Sequence, residues 1–306
     1  MPLTEPTLCT LMSRACEAKT AIPGFNIPYL PMMAPVVRAL RDTNCFGLIM
    51  VARLEWTKFQ AGGPAAIHEE YQRMKDERFT RLHLDHVPVI DEDHLEVDYE
   101  ADIGEAVALG YDSVMVDASR LSFEGNIEAT RRIVELAHPS GIAVEAELGA
   151  VMGHESGPLP PYEELFASGK GFTDPAEAKQ FVEETGVDWL SAAIGSVHGA
   201  ISAGERTKKK VEARLSIERL DAIRAAIDVP IVLHGGTGIR KEYILESVRH
   251  GVAKINVATA IRQPYEALMA DSVTRAQEAV YDATVDAICN ELELEGSTAR
   301  ICPDQS

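Results

Sequence analysis

The sequence predicts an α/β fold of the (β/α)8 TIM-barrel class, with residues 1–306 read as one domain carrying a long C-terminal helical tract. Three observations lead there. Short apolar runs alternate with amphipathic stretches long enough for helices, the pattern of repeated β-α units around a parallel sheet. Eight such runs can be placed. The Gly-rich turn lies near the C-terminus and not after the first strand, where an open doubly wound sheet would carry it.

In chain order the expected strands are Ile22 to Ile27, Gly47 to Ala52, Arg81 to Leu84, Ser113 to Val116, Ile142 to Glu147, Trp189 to Ile194, Pro230 to Leu233 and Ala253 to Val257. Helical patterns cover Met32 to Asp42, Tyr99 to Leu109, Asn126 to His138, Pro175 to Thr185, Ile217 to Ile227 and Lys241 to His250. Thr173-Asp-Pro175 places capping candidates before a proline at the first helical position, and Ser216 is a possible cap for the helix after it. Gly141 and Gly251 stand where helices stop. Ala260 to Leu294 is a helical tract longer than barrel closure needs, suited either to a partner subunit or to the outside of its own barrel. Two long connections, 150 to 174 and 196 to 214, exceed ordinary loop lengths; the first has the Gly and Pro content of a lid.

The chain has 306 residues, 46% of them hydrophobic and 25% charged, enough to bury a large core. Its net charge of −19 opposes nucleic acid and anionic membranes. No run approaches the roughly 18 apolar residues of a membrane span, and the N-terminus lacks the features of a signal peptide, so a cytoplasmic protein is expected. Five cysteines without CxxC spacing suggest neither a disulfide framework nor a thiolate metal site. Acidic runs such as Asp91 to Glu105 read as solvated surface.

In such barrels the chemistry collects at the C-terminal strand ends. There the chain places Asn26, the Asp85-His86 pair, Glu145 and Glu147, His198-Gly199, His234 and Asn256. Three imidazoles from strands three, six and seven can converge on one metal and leave a position open for substrate. His83 alternates with Asp85 and is read as packing or support. The remaining histidines fall in helices or loops. His234-Gly-Gly-Thr-Gly238 and Asn256-Val-Ala-Thr259 each offer backbone N–H groups ahead of a helix, in the two loops where these barrels bind phosphate.

These residues resemble the class II, metal-dependent fructose-bisphosphate and tagatose-bisphosphate aldolases. The likeness runs through Gly24-Phe-Asn26, Leu82-His-Leu-Asp-His86, Ser113-Val-Met-Val-Asp117, Val144-Glu-Ala-Glu-Leu-Gly149, Phe172-Thr-Asp-Pro175, Ala193-Ile-Gly-Ser-Val-His-Gly199, Val232-Leu-His-Gly-Gly-Thr-Gly238 and Lys254-Ile-Asn-Val-Ala-Thr259. It implies zinc (Zn2+) on His86, His198 and His234, with Co2+ or Mn2+ as alternatives and a monovalent cation besides. It implies Asp85 as acid/base, Glu155 as a mobile base in the lid, and Glu147 as a supporting or alternative-metal carboxylate. Asn26, Gly199, Gly235, Thr237, Asn256 and Thr259 would hold substrate and its phosphate. The implied reaction splits a phosphorylated ketose into dihydroxyacetone phosphate and an aldehyde, in a homodimer or homotetramer. The chain departs from the resemblance at Met50-Val-Ala52, where a serine usually ends strand two, at the long segment Val87 to Tyr99, and at Ala258, where an aspartate is usual. A substrate other than fructose 1,6-bisphosphate is therefore expected. The rival readings are a Schiff-base aldolase on Lys254 and a non-catalytic sugar-phosphate-binding protein.

Overall fold

A computed structural model of the chain describes residues 6–149, 162–196 and 213–303. Eight parallel strands close into a barrel in sequence order: β1 Ile22–Asn26, β2 Gly47–Ala52, β3 Thr80–Pro88, β4 Ser113–Asp117, β5 Ala143–Leu148, β6 Trp189–Ala192, β7 Ile231–Leu233 and β8 Val252–Val257. The (β/α)8 barrel is thus the fold of the chain. Closure is direct, with β1 pairing β8 through Ile22 opposite Lys254 and Gly24 opposite Asn256.

The helices are α1 Leu8–Glu17, α2 Met33–Asp42, α3 Arg53–Thr57, α4 Gly63–Met74, α5 Tyr99–Leu109, α6 Phe123–Ala137, α7 Tyr162–Ser168, α8 Pro175–Thr185, α9 Ile217–Ala226, α10 Lys241–Arg249, α11 Thr259–Leu268, α12 Val273–Asp286 and α13 Thr298–Ile301. The expected caps hold. Asp174 accepts the N–H groups of Ala176 and Glu177 at the start of α8, and Ser216 accepts that of Arg219 in α9.

Sequence periodicity missed α1, α3, α4 and α13, and also α7, which lies in the stretch expected to be a long connection. In α1 the buried side chains are Leu8, Leu11, Met12 and Ala15, a helical stripe that plugs the N-terminal end of the barrel. They pack with Ile22, Leu48, Met50, Trp189, Val232 and Ala253 from the strands and with Ile301 of α13. A second, larger apolar cluster lies between the strands and the surrounding helices.

The C-terminal tract consists of two helices, α11 and α12. Ser272 caps α12 by accepting the Arg275 N–H, and a π-helical turn, Ala287–Glu291, follows it. The tract packs on its own barrel: Arg38 of α2 pairs with Glu278 at 2.9 Å and lies over the Tyr281 ring, and Tyr281 donates to Asp42.

The acidic segment after β3 is also more than solvated surface. Asp91 is buried, accepts the N–H groups of Asp93 and Leu95, and lies 3.6 Å from the Arg53 guanidinium, which also pairs with Asp102. A bridge between Ile90 and Glu96 makes this segment a small, folded rim element.

Candidate active site

β3 runs through a register shift between Leu84 and Val87, and His86 there has φ +34°. Strict alternation would send Asp85 and His86 to opposite faces of the strand. The irregularity re-aims the second residue, as bulges beside active sites do. A non-glycine residue in the left-handed region costs about 1–3 kcal/mol, which the surrounding contacts must offset. The ligand atoms of Asp85, His86 and His234 consequently lie within 4.8 Å of one another, and the two imidazole rings are 4.5 Å apart between centres.

Asp85 is held by two carboxamides. Asn26 donates from Nδ2 to Oδ2 at 2.9 Å, and Asn256 donates from Nδ2 to Oδ1 at 3.0 Å. Burial works to raise this carboxyl, but the charge of His86, the bond from His83 and the charges of Lys254 and His234 outweigh it and hold it well below the usual carboxylate range. Asp85 is therefore ionised.

His234 faces a carboxylate on each nitrogen, Glu147 at 3.0 Å from Nδ1 and Glu145 at 2.8 Å from Nε2. His86 lies 3.3 Å from Asp117 through Nδ1. Burial lowers the His86 imidazole, but Asp85, Asp117 and Glu147 outweigh burial and push it up to about 10.

Glu145 was read from the sequence only as a strand-end carboxylate, and the structure shows its role in the network. Its Oε1 receives His234, while its Oε2 receives the Trp189 indole at 2.6 Å and the Lys254 ammonium at 2.8 Å. Burial alone would raise it, yet Lys254, His234 and His83 hold it far below its ordinary value. His83 is likewise sealed in, bonding Ser113 through Nδ1. Burial and the neighbouring Lys254 charge lower it, so it is neutral. The signal that could have found Glu145 is its period-two spacing from Glu147, which turns both carboxylates inward on one strand.

Among the described phosphate-binding candidates, Gly235 and Thr237 follow β7, Asn256 lies in β8 and Thr259 follows it. Gly236 packs so closely on β8 that a Cβ there would lie 2.9 Å from the Asn256 carbonyl oxygen, so the approach requires glycine. Among the described residues, neither Gly235 nor Gly236 donates its backbone N–H to another group of the protein. Thr259 opens α11 directly after β8, giving a first turn of N–H groups without helical acceptors, whereas α10 begins only at Lys241, beyond Thr237. Asn26 and Asn256 both direct their side-chain amides at Asp85, and Asn26 Nδ2 also reaches Glu55. Glu155, His198 and Gly199 lie outside the described residues.

With this geometry in place, comparison with known proteins is decisive. The profile of the family described as "Fructose-bisphosphate aldolase class-II" matches residues 6–295. The chain belongs to the class II aldolase family. Among curated relatives, a fructose-bisphosphate aldolase of Staphylococcus epidermidis is 33% identical over 262 residues, 85% of this chain and 82% of the relative. Among solved structures, the YdjI aldolase of Escherichia coli K12 superposes with a TM-score of 0.73 at 25% identity, covering 96% of this chain and all of that one. A putative fructose-1,6-bisphosphate aldolase of Coccidioides immitis gives 0.73 at 28% identity, covering 95% of this chain and 97% of its own. The chain is thus an aldolase, a carbon–carbon lyase of the aldehyde-lyase type.

The site fits the metal that this family depends on. Two imidazoles and flanking carboxylates are a donor set for a divalent cation, and atoms on one zinc stand roughly 3.4 Å apart when each is about 2.1 Å from it. Each imidazole also hands a ring nitrogen to a carboxylate, the arrangement that orients metal-bound histidines.

Proposed function

We propose that this aldolase reversibly cleaves a phosphorylated ketose into dihydroxyacetone phosphate and an aldehyde, and that its substrate is not the usual fructose 1,6-bisphosphate. The observation that carries this reading is the Asp85 carboxylate, clamped by Asn26 and Asn256 beside His86 and His234 at the C-terminal mouth of the barrel. His86 and His234, with His198 from outside the described residues, would hold a divalent cation, zinc by preference. Glu145, fixed by Lys254 and Trp189, would orient His234, leaving Glu147 beside the cation. A cation bound there supplies Lewis acidity that draws electron density from the ketose carbonyl.

Asp85 takes the proton of the substrate's C4 hydroxyl. The C4 oxygen becomes the aldehyde carbonyl, and the electron pair of the C3–C4 bond passes to the ketose half. Glu155, outside the described residues, would return a proton to C3. Gly199, Gly235, Thr237, Asn256 and Thr259 cradle the phosphate with backbone and side-chain donors, which is how so acidic a chain captures an anion. With product gone, Asp85 gives up the C4 proton and Glu155 regains one by exchange with solvent, which closes the cycle and returns Asp85 to its clamp as a carboxylate.

The aldehyde half is read from the rim. β2 ends in Ala52, and the cation that follows, Arg53, is neutralised by Asp91 and Asp102. Lys58 is likewise paired with Glu92 and Asp93. A second phosphate near this rim would meet carboxylates, which favours an aldehyde without one. The Schiff-base alternative on Lys254 is opposed by its geometry, since that ammonium is sealed under the site against Glu145.

The test is a panel of ketose 1-phosphates and 1,ω-bisphosphates assayed for aldehyde release, before and after chelation and with zinc, cobalt or manganese restored. The best kcat/KM should fall on a monophosphate, and chelation should abolish it reversibly. Fructose 1,6-bisphosphate as the best substrate would overturn the rim reading. Activity indifferent to chelator would overturn the metal reading, and borohydride trapping at Lys254 would replace it.

A further inference from the structure

A carboxyl group that no part of the proposed reaction uses lies beside the reacting carboxylate. β2 gives way to α3 without a connecting residue, and Glu55, in the first turn of α3, folds back over the strand ends. Its Oε2 accepts the Ala52 backbone N–H at 2.7 Å and stands 3.4 Å from Asn26 Nδ2. Asn26 Nδ2 also donates to Asp85 Oδ2 at 2.9 Å. Ala52 and Asp85 are register partners across β2 and β3, and Asn26 pairs with Met50 across β1 and β2, so Glu55 roofs three adjacent strand ends.

An amide can face its neighbours in two ways, and only one suits a carboxylate. With oxygen acceptors on both sides, both hydrogens of Nδ2 are engaged and the amide carbonyl is turned away from Asp85. If Glu55 were absent, one hydrogen would lose its acceptor and the amide could rotate, presenting oxygen to an ionised carboxylate. We propose that Glu55 is a positioning residue for Asp85, acting through the amide of Asn26.

Two further observations agree. Glu55 is only 6% exposed, so its acceptor is shielded from competing water. Burial pushes its carboxyl up to about 8, the Ala52 N–H opposes this and the Asp85 charge adds to it. At neutral pH it is a neutral acid beside an ionised one, two carboxyls whose surroundings drive them apart. As a neutral acid it keeps an accepting oxygen for Asn26 without adding negative charge next to Asp85. Glutamine has the same shape and acceptor.

The inference rests on reading Asp85 as the base. The experiment compares Glu55→Gln, Glu55→Met, Glu55→Asp and Asn26→Ala in the metal-loaded enzyme, on its best substrate, with full pH profiles. Glu55→Gln should keep kcat within about twofold, since the hydrogen bonds persist. Glu55→Met, similar in bulk but lacking the acceptor, should lower kcat about ten- to a hundredfold with little change in KM, the scale expected from a misaligned reacting group. Asn26→Ala should reproduce this loss, and combining it with Glu55→Met should cost no more than either alone.

If Glu55→Met does not fold by thermal melt, Glu55→Asp, whose carboxyl is withdrawn by one methylene, carries the same expectation. Unchanged kcat in the folded variant, or losses that add with Asn26→Ala, would overturn the proposal. An Asp85→Asn enzyme that still turns over would instead sink the base assignment beneath it. An inactive Asp85→Asn with a normal Glu55→Met removes this inference alone.

Discussion

The two ends of the barrel interior are built from the same eight strands and held together by different physics. At the N-terminal end Ile22, Leu48, Met50, Val232 and Ala253 meet Leu11 and Met12 of α1 in an apolar floor. At the C-terminal end Asn26, His83, Asp85, Glu145, Glu147, His234, Lys254 and Asn256 are buried and linked to one another by hydrogen bonds. Trp189 joins the layers, packing in the floor while its indole N–H reaches Glu145. The floor is non-directional and tolerates changes of shape at a cost in stability. The polar layer is directional, so removing one member strands its partners in a dry environment. The floor keeps water from below, which strengthens every bond in the layer above.

That contrast can be broken in graded ways. The largest effect should come from His234→Ala, which is expected to cost at least about a thousandfold in kcat/KM through loss of several kcal/mol of electrophilic stabilisation. Metal analysis of the purified variant should show lowered content; full occupancy with full activity would contradict the site. Asp85→Asn comes next, with a loss of about 10²–10⁴ in kcat but unchanged metal content, as befits an acid/base group. A parallel loss of metal would make Asp85 a ligand instead.

In the floor, Leu11→Ala should destabilise the fold by about 2–5 kcal/mol in a denaturant titration and leave kcat of the folded enzyme unaltered. A marked fall in kcat would show that the two ends are coupled. The smallest effect concerns pH. Glu55 keeps its proton in the folded state up to about 8, whereas its ordinary value is 4.5. Between these values the unfolded chain binds fewer protons, so this group's contribution to stability is full below the lower value and is lost as pH rises through the upper one. Glu55→Gln should flatten that slope, narrowing the Tm difference between pH 5 and pH 8 by about 2–4 °C. An unchanged slope would mean that Glu55 is ionised in the native enzyme.

Much of the site was legible because polar residues interrupt apolar runs at the strand ends, as Asn26, Asp85-His86, Glu145, His234 and Asn256 do. Helices with clear caps, such as α8 behind Asp174 and α9 behind Ser216, were legible for a similar local reason. α1 was not, because its apolar stripe is short and gains its meaning only from the barrel floor it fills. The break inside the C-terminal tract was not legible, because no glycine or proline marks it before Ser272.

The order of strands, the family and the residue types at the catalytic end were determined by the sequence alone, since each depends on local pattern and motif. Three things were decided only in the tertiary structure. The irregularity in β3 turns both Asp85 and His86 to the site, the Lys254–Glu145–His234 chain holds an imidazole in place, and Glu55 lies against the Asn26 amide. The last two join residues distant in sequence and the first exists only in the register of β3 against β4, so the geometry of all three is fixed by barrel closure and desolvation, which no local pattern encodes.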